Sequence, residues 1–314
     1  MHWQDKKIIL AGGAGLVGQN LVAQLRARGY RNLVVLDKHR ANLAVLRQWQ
    51  PQVQAEYADL AQAGEWQRHV EGAAALVMLQ AQIGGTLETE FTRNSITSTR
   101  LILALLKHYP NVQLIHISSS VLNSAADDFY TRSKRTQEQL VRASGLACTI
   151  LRPTLMFGWF DRKHLGWLAR FMRRVPLFPI PGHGHYLRQP LYAADFCRII
   201  VRCLEKPELS GTYNISGQEN IDYIDIIRRI RQVTGSRTLL CRLPYRVFHA
   251  LLRLWAWFDR NPPFTTQQLA ALCTRDRFEV IDWPSLFGVP ATPFALAIDE
   301  TFNDRRYSHI ILEF

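Results

Sequence analysis

Lys7-Ile8-Ile9-Leu10-Ala11-Gly12-Gly13-Ala14-Gly15-Leu16-Val17-Gly18 is the stretch that decides the fold. An apolar run goes straight into a glycine cluster, and a helical pattern follows at once in Leu16, Val17, Leu21, Val22 and Leu25. Strand, Gly-rich turn, helix is the phosphate-binding entry of a dinucleotide fold. Glycine permits a turn with φ > 0. Its missing Cβ lets a pyrophosphate reach the backbone, and the unpaired N–H groups and dipole at the helix start hold the anion. Two registers fit, Gly13/Gly15/Gly18 as G-x-G-x-x-G and Gly12/Gly15/Gly18 as G-x-x-G-x-x-G.

Working outward, a second apolar strand, Leu33-Val34-Val35-Leu36, ends in Asp37, 19 residues after Gly18. A carboxylate there accepts the ribose hydroxyls of an adenosine half. It favours NAD, because it repels a 2′-phosphate; the neighbouring Lys38 and Arg40 keep NADP as the second choice. The competing reading is a structural glycine turn in an α/β sheet that holds no nucleotide.

The 314 residues suffice for one large domain or two lobes. A hydrophobic content of 47% and a charged content of 20% are those of a globular protein. No stretch reaches the ~18–20 apolar residues of a membrane span, and the first residues lack the apolar core of a signal peptide. Five scattered cysteines, Cys148, Cys197, Cys203, Cys241 and Cys273, form no CxxC and read as reduced packing residues. A cytoplasmic location is therefore expected. The net charge of +12 is spread along the chain with no nucleic-acid module beside it, so solvated helix faces explain it better than a nucleic-acid groove.

Strands and helices alternate up to Cys148–Pro153, the sixth strand, and this rhythm argues an α/β, Rossmann-type, doubly wound parallel sheet with a smaller α/β C-terminal lobe. The expected organisation is a Rossmann domain over residues 1–155, to which 187–205 returns. Residues 156–186 and 206–302 form the substrate lobe, and 303–314 a poorly ordered tail. A long helix is expected from Glu88 to His108, and another from Phe129 to Ser144 with Gly145 at its C-cap position.

Tyr130 and Lys134 form Y-x-x-x-K, and i and i+4 share one helix face. A lysine ammonium there favours the tyrosinate and lowers its pKa. Such a tyrosine moves a proton at a carbonyl or hydroxyl beside a nicotinamide, and the lysine also bonds the nicotinamide ribose. The serines closing the preceding strand, Ser118-Ser119-Ser120, supply a hydroxyl to polarise the substrate oxygen. The competing reading is an exposed tyrosine and a solvated lysine.

With these residues the chain resembles an extended short-chain dehydrogenase/reductase of the NAD-dependent epimerase/dehydratase type. The resemblance rests on Gly12/Gly15/Gly18, Asp37, Asp59-Leu60, Val77–Ala81, Asn94, Ser118-Ser119, Tyr130/Lys134, Arg152-Pro153 with Phe157-Gly158, and Tyr213–Ile215. It implies a cofactor site of Gly12, Gly15, Leu16, Val17, Gly18, Asp37, Asp59, Leu60, Leu79, Gln80, Ala81, Ser118, Lys134 and Pro153. Asp59 would bond the adenine edge and Pro153 would pack on the nicotinamide. It implies catalytic Ser119, Tyr130 and Lys134 with Asn94 supporting the catalytic helix, and substrate contacts from Ser120 and Arg188. No metal is implied, and His183 and His185 lack a further ligand at convincing spacing. A small-molecule substrate of the nucleotide-sugar kind and a homodimer through the helices carrying Asn94 and Tyr130 also follow from the resemblance.

Departures from the pattern stand beside it. Met78-Leu79-Gln80-Ala81 replaces His-Leu-Ala-Ala, and Leu155 stands where nucleotide-sugar enzymes carry an asparagine. Gln189–Asp195 looks more like the branch of complex I accessory subunits. An NAD(P)H-binding accessory or scaffold protein with little turnover is therefore the alternative to an enzyme. Tyr245–Phe258 is heavily aromatic; it reads as a core helix of the second lobe, as a wall of an apolar substrate pocket, or as a docking element on a membrane surface beside Arg246 and Arg253.

Overall fold

The structure is a computed structural model that describes residues 3–124, 127–258, 265–273 and 279–313. The elements run in this order: β1 Lys7–Ala11, α1 Leu16–Ala27, β2 Leu33–Asp37, α2 Arg40–Trp49, β3 Gln54–Tyr57, β4 Ala73–Met78, α3 Glu88–Phe91, a π-helical turn Thr92–Thr97, α4 Ser98–Leu106, β5 Gln113–Ile117, α5 Phe129–Ala143 and β6 Cys148–Pro153. Then follow β7 Met156–Phe157, α6 Leu165–Met172, β8 Leu177–Pro181, β9 Leu187–Arg188, β10 Leu191–Tyr192, α7 Ala193–Glu205, β11 Gly211–Ile215, β12 Ile221–Asp222 and α8 Tyr223–Val233. The last are β13 Leu239–Leu243, α9 Tyr245–Phe258, α10 Thr266–Cys273, α11 Trp283–Phe287 and α12 Phe294–Asn303.

Seven strands form one parallel sheet in the order β11-β6-β5-β4-β1-β2-β3. The order reverses between β1 and β4, and ligands bind at such a switch point, outside the carboxyl ends of the strands. Strand periodicity of two divides the core. Ile8 and Leu10 pack with Leu21, Leu25 and Phe196 on one face of the sheet. Ile9 and Ala11 pack with Ile102, Leu106 and Val141 on the other. Burial of β1 from both sides is why its sequence is continuously apolar.

A separate core joins Leu165, Met172, Phe178, Ile180, Ile224, Ile227 and Ile298 from α6, β8, α8 and α12. The residues after α12 differ from the poorly ordered tail expected. Tyr307 packs its ring against Trp49 and Trp159, Leu312 is buried, and Glu313 exchanges two hydrogen bonds with the Asn42 amide. Aromatic burial supplies the contacts that a polar tail would lack.

Candidate active site

The glycine turn is held by close approach at three of its four glycines. Gly12 has φ +77° and sits so near β4 that a Cβ would lie 2.5 Å from the Gln80 Cα. A Cβ on Gly18 would lie 2.2 Å from the Gly13 carbonyl oxygen, and one on Gly13 would lie 2.9 Å from Leu10. Gly15 differs: a Cβ there meets nothing within 4 Å. It is the N-cap of α1 and offers no side-chain cap, so the first-turn N–H groups of Leu16 and Val17 face that open space uncapped. This is the cradle a pyrophosphate needs. Gln80 adds to the fit, because both polar atoms of its buried amide lack a partner among the described residues.

The Asp37 carboxylate accepts the Ala14 N–H at 2.9 Å and the His39 N–H at 2.9 Å. It thereby fixes the turn to the start of α2 and leaves lone pairs for ribose hydroxyls. Arg40 stacks on Tyr57, its guanidinium 3.8 Å from the ring centroid, while Lys38 is exposed. Asp59 caps the following turn through Ala61 N and pairs with Arg93. The side chain of Leu60 is packed in the core with Ala58 and Trp66, so only its backbone is open to a ligand. Leu79 is tied to Ala11 by its N–H, at 2.8 Å, and partly buried Ala81 follows Gln80.

The helix expected from Glu88 to His108 is interrupted by the π-helical turn, and Asn94 lies in it. Such turns mark functional sites because they re-aim side chains. Asn94 donates to Gln82 Oε1 at 2.7 Å, and Gln137 of α5 donates to the Ser95 carbonyl and Thr99 hydroxyl. The asparagine helix is thereby locked to α5.

Tyr130 and Lys134 lie in the first two turns of α5, which is capped by Asp128 accepting from Thr131 N at 2.7 Å. Tyr130 is hydrogen-bonded to Ser119 at the carboxyl end of β5. Lys134 is buried and donates to the Ile117 carbonyl at 2.8 Å. The expected lowering of the Tyr130 pKa is not found. Burial pushes it up, the Ser119 hydrogen bond opposes this, and Asp128 adds to the rise. The reason is geometric, since the Lys134 ammonium is spent on a carbonyl. Burial also pulls Lys134 down to about 7, against the attraction of Glu138.

Glu138 lies one turn beyond Lys134 on α5, and the sequence reading does not single it out. Burial alone would raise its pKa, but hydrogen bonds from Arg152, Ser118 and Arg142 hold it at about 2. Arg152 Nε and Arg142 Nε donate at 2.9 Å each, and Ser118 Oγ donates at 2.7 Å. The Ser118 hydroxyl is thus committed to Glu138. His116, fully buried two residues upstream, has both ring nitrogens unpartnered among the described residues. Burial pulls it down to about 3, with Lys134 adding to the fall, so it is neutral.

Buried Ser120 opens the 3-10 turn after β5. Pro153 ends β6 opposite Ile215. Arg188 sits apart on β9, its guanidinium donating to the Leu187 and Leu272 carbonyls. Among the described residues no cluster of three metal-ligating side chains occurs.

A parallel sheet with a glycine turn, a ribose-side carboxylate and a Ser–Tyr pair at the strand ends defines a dinucleotide-dependent oxidoreductase class. Residues 8–216 match the NAD dependent epimerase/dehydratase family. The chain belongs to that family, whose cofactor is NAD. Ceramide reductase of Caulobacter vibrioides is 24% identical over 261 residues, 81% of this chain and 80% of that protein. Mitochondrial NADH dehydrogenase (ubiquinone) 1 alpha subcomplex subunit 9 of Dictyostelium discoideum is 28% identical over 158 residues, 49% of this chain. The match spans 44% of that subunit's length. In structure the chain is similar to the Bordetella bronchiseptica enzyme WbmF in complex with NADH, at a TM-score of 0.72 and 17% identity, covering 95% of this chain and 92% of that one. UDP-glucuronic acid 4-epimerase of Bacillus cereus in complex with NAD aligns at a TM-score of 0.66 and 22% identity, over 76% of this chain and 86% of that one.

Proposed function

We propose that this protein catalyses NAD-dependent hydride transfer at a hydroxyl- or carbonyl-bearing carbon, with Tyr130 as the acid and base. The observation that carries this reading is the Ser119–Tyr130 hydrogen bond at the carboxyl end of β5, with Lys134 one turn further along α5. NAD, when bound, supplies the hydride acceptor or donor. Leu16, Val17 and Gly18 hold its pyrophosphate through the uncapped turn of α1. Asp37 holds the adenosine ribose, and Asp59 and the Leu60 backbone border the adenine. Leu79, Gln80, Ala81 and Pro153 line the nicotinamide half.

Within the pair, Ser119 orients the substrate oxygen and Tyr130, a neutral phenol that burial holds further towards the protonated form, donates to it. In the reverse direction Tyr130 accepts the proton, and Lys134 must leave the Ile117 carbonyl to stabilise the tyrosinate. Ser118 acts by fixing Glu138. Asn94 ties the π-helical turn to the loop after β4 through Gln82, while Gln137 ties that turn to α5. The substrate class carried over from the solved neighbours is a nucleotide sugar, received by Ser120 and Arg188, and a homodimer through α4 and α5 follows from the family resemblance alone. The accessory-protein reading is favoured by one observation, the engagement of Lys134 with a backbone carbonyl in place of Tyr130.

Tyr130→Phe tests this directly. Turnover on a panel of UDP-sugars and carbonyl lipids falls about 10²–10⁴-fold, while NAD affinity by calorimetry stays within about twofold. Full turnover in that variant removes the assignment; NAD binding with no turnover by the wild type on any panel member selects the accessory reading. Gly15→Ala, by placing a methyl in the open cradle, weakens NAD binding by about tenfold or more with no loss of fold by circular dichroism.

A further inference from the structure

The aromatic helix α9 is not a core helix. Of its 14 residues only Phe248 is buried. Arg246, His249 and Arg253 recur at i, i+3 and i+7 and so share one narrow stripe. Every other position is apolar or aromatic. Leu254 is 51% exposed, and Trp257 and Phe258 are each 82% exposed. At about 1.5 Å per residue the helix presents roughly 20 Å of hydrocarbon outward, more than the scattered single residues of an ordinary surface.

The inner side of α9 is also incompletely packed. Beneath it lies a cavity of about 190 Å³ whose walls include Trp167 and Phe171 of α6, Phe178 of β8, and Leu251, Leu252 and Trp255 of α9. Leu251 and Trp255 are half-exposed, so the mouth of the cavity lies on the α9 surface. Trp167 and Phe171 stack with ring centroids 5.0 Å apart. Among the described residues no ionisable group other than Tyr223 lines this space.

The same elements carry exposed cations. Arg173 and Arg174 follow α6, Arg242 lies on β13, and Arg246 and Arg253 lie on α9. None of the five is ion-paired among the described residues. The chain as a whole is at +12. A second copy seated on this face would bring these arginines against the same arginines, which is repulsive. An anionic bilayer meets all of the features together. Arginines attract its headgroups, tryptophans sit at its interface, and acyl chains accept the apolar arc.

We propose that α9 is an interfacial docking helix that seats the protein on an anionic phospholipid bilayer, with the cavity beneath it receiving hydrocarbon from that bilayer. The proposal is independent of the catalytic reading, because it is tested by binding alone. The whole chain is mixed with vesicles of phosphatidylcholine, with or without phosphatidylserine, and floated. Wild type floats with the phosphatidylserine vesicles at low salt and is released at high salt. In Trp257→Ser/Phe258→Ser the bound fraction falls at least tenfold, with unchanged circular dichroism and thermal midpoint. In Arg246→Glu/Arg253→Glu it falls comparably. Brominated acyl chains quench the tryptophan emission of the wild type, and Trp255→Phe/Trp257→Phe reduces that quenching to the share of Trp167 in the cavity wall. Failure to float at low salt overturns the proposal, and so does flotation unchanged in the Trp257/Phe258 variant. A dimer in light scattering that the same two substitutions dissolve assigns the face to a second copy and also overturns it.

Discussion

The helices α5 and α9 invert the usual partition in opposite directions. α5 has a polar sequence, yet it buries Thr131, Ser133, Lys134, Gln137 and Glu138. α9 has an apolar sequence, yet it exposes nearly all of it. Buried polar groups usually find a partner. Most of those on α5 do, through Ile117, Ser118, Arg152 and the asparagine helix, while the Thr131 hydroxyl and the Gln137 amide oxygen have none among the described residues. Exposed hydrocarbon has no such internal remedy, so α9 points outside the chain for its partner. Both helices depart from what stability alone requires, and those departures are where sites are found.

The contrast breaks first at Glu138. Glu138→Gln leaves Arg152 facing a neutral amide at a site where the carboxylate is 3% exposed. Denaturant titration is expected to show a loss of about 3 kcal/mol, because a half-removed buried pair leaves an uncompensated charge. A loss below about 1 kcal/mol would mean that water reaches the cluster and that α5 is no different from a surface helix.

Lys134 gives the next effect, and it depends on pH. In the fold its pKa is pulled from 10.5 to about 7, so between those values the unfolded chain binds more protons than the folded one. Stability therefore rises with pH from about 7 towards 10.5, with a slope of at most about 1.4 kcal/mol per unit. Below pH 7 lysine is charged in both states and the full cost of its burial remains. Urea midpoints taken at about pH 7 and about pH 9.5 should differ in the wild type and converge in Lys134→Met. An equal slope in both proteins would place the titration elsewhere.

The smallest effect is expected in α9. Trp257→Ser, at a position 82% exposed, should shift stability in solution by no more than about 0.5 kcal/mol. A loss several times larger would make α9 a structural helix packed by its own chain.

Much of the parallel-sheet half was legible in the sequence. The glycine turn, Asp37 and the Cys148–Pro153 strand are local patterns in which period and spacing fix the element. The start of α9 at Tyr245 was legible for the same reason. Glu138 was not singled out, because its meaning comes from Arg152 on a neighbouring strand and Ser118 at the end of another. The tail was misjudged, since Trp49 and Trp159, which cover Tyr307, are distant in sequence.

By itself the sequence determined the parallel sheet, the strand, glycine turn and helix that open it, and the helix that carries Tyr130 and Lys134. Those rest on backbone geometry and periodicity, which short stretches encode. Only the tertiary structure decided the protonation preferences of Tyr130, Lys134 and His116 and the exposure of α9. Desolvation and packing depend on what every other element brings to a point, and no local spacing carries that sum.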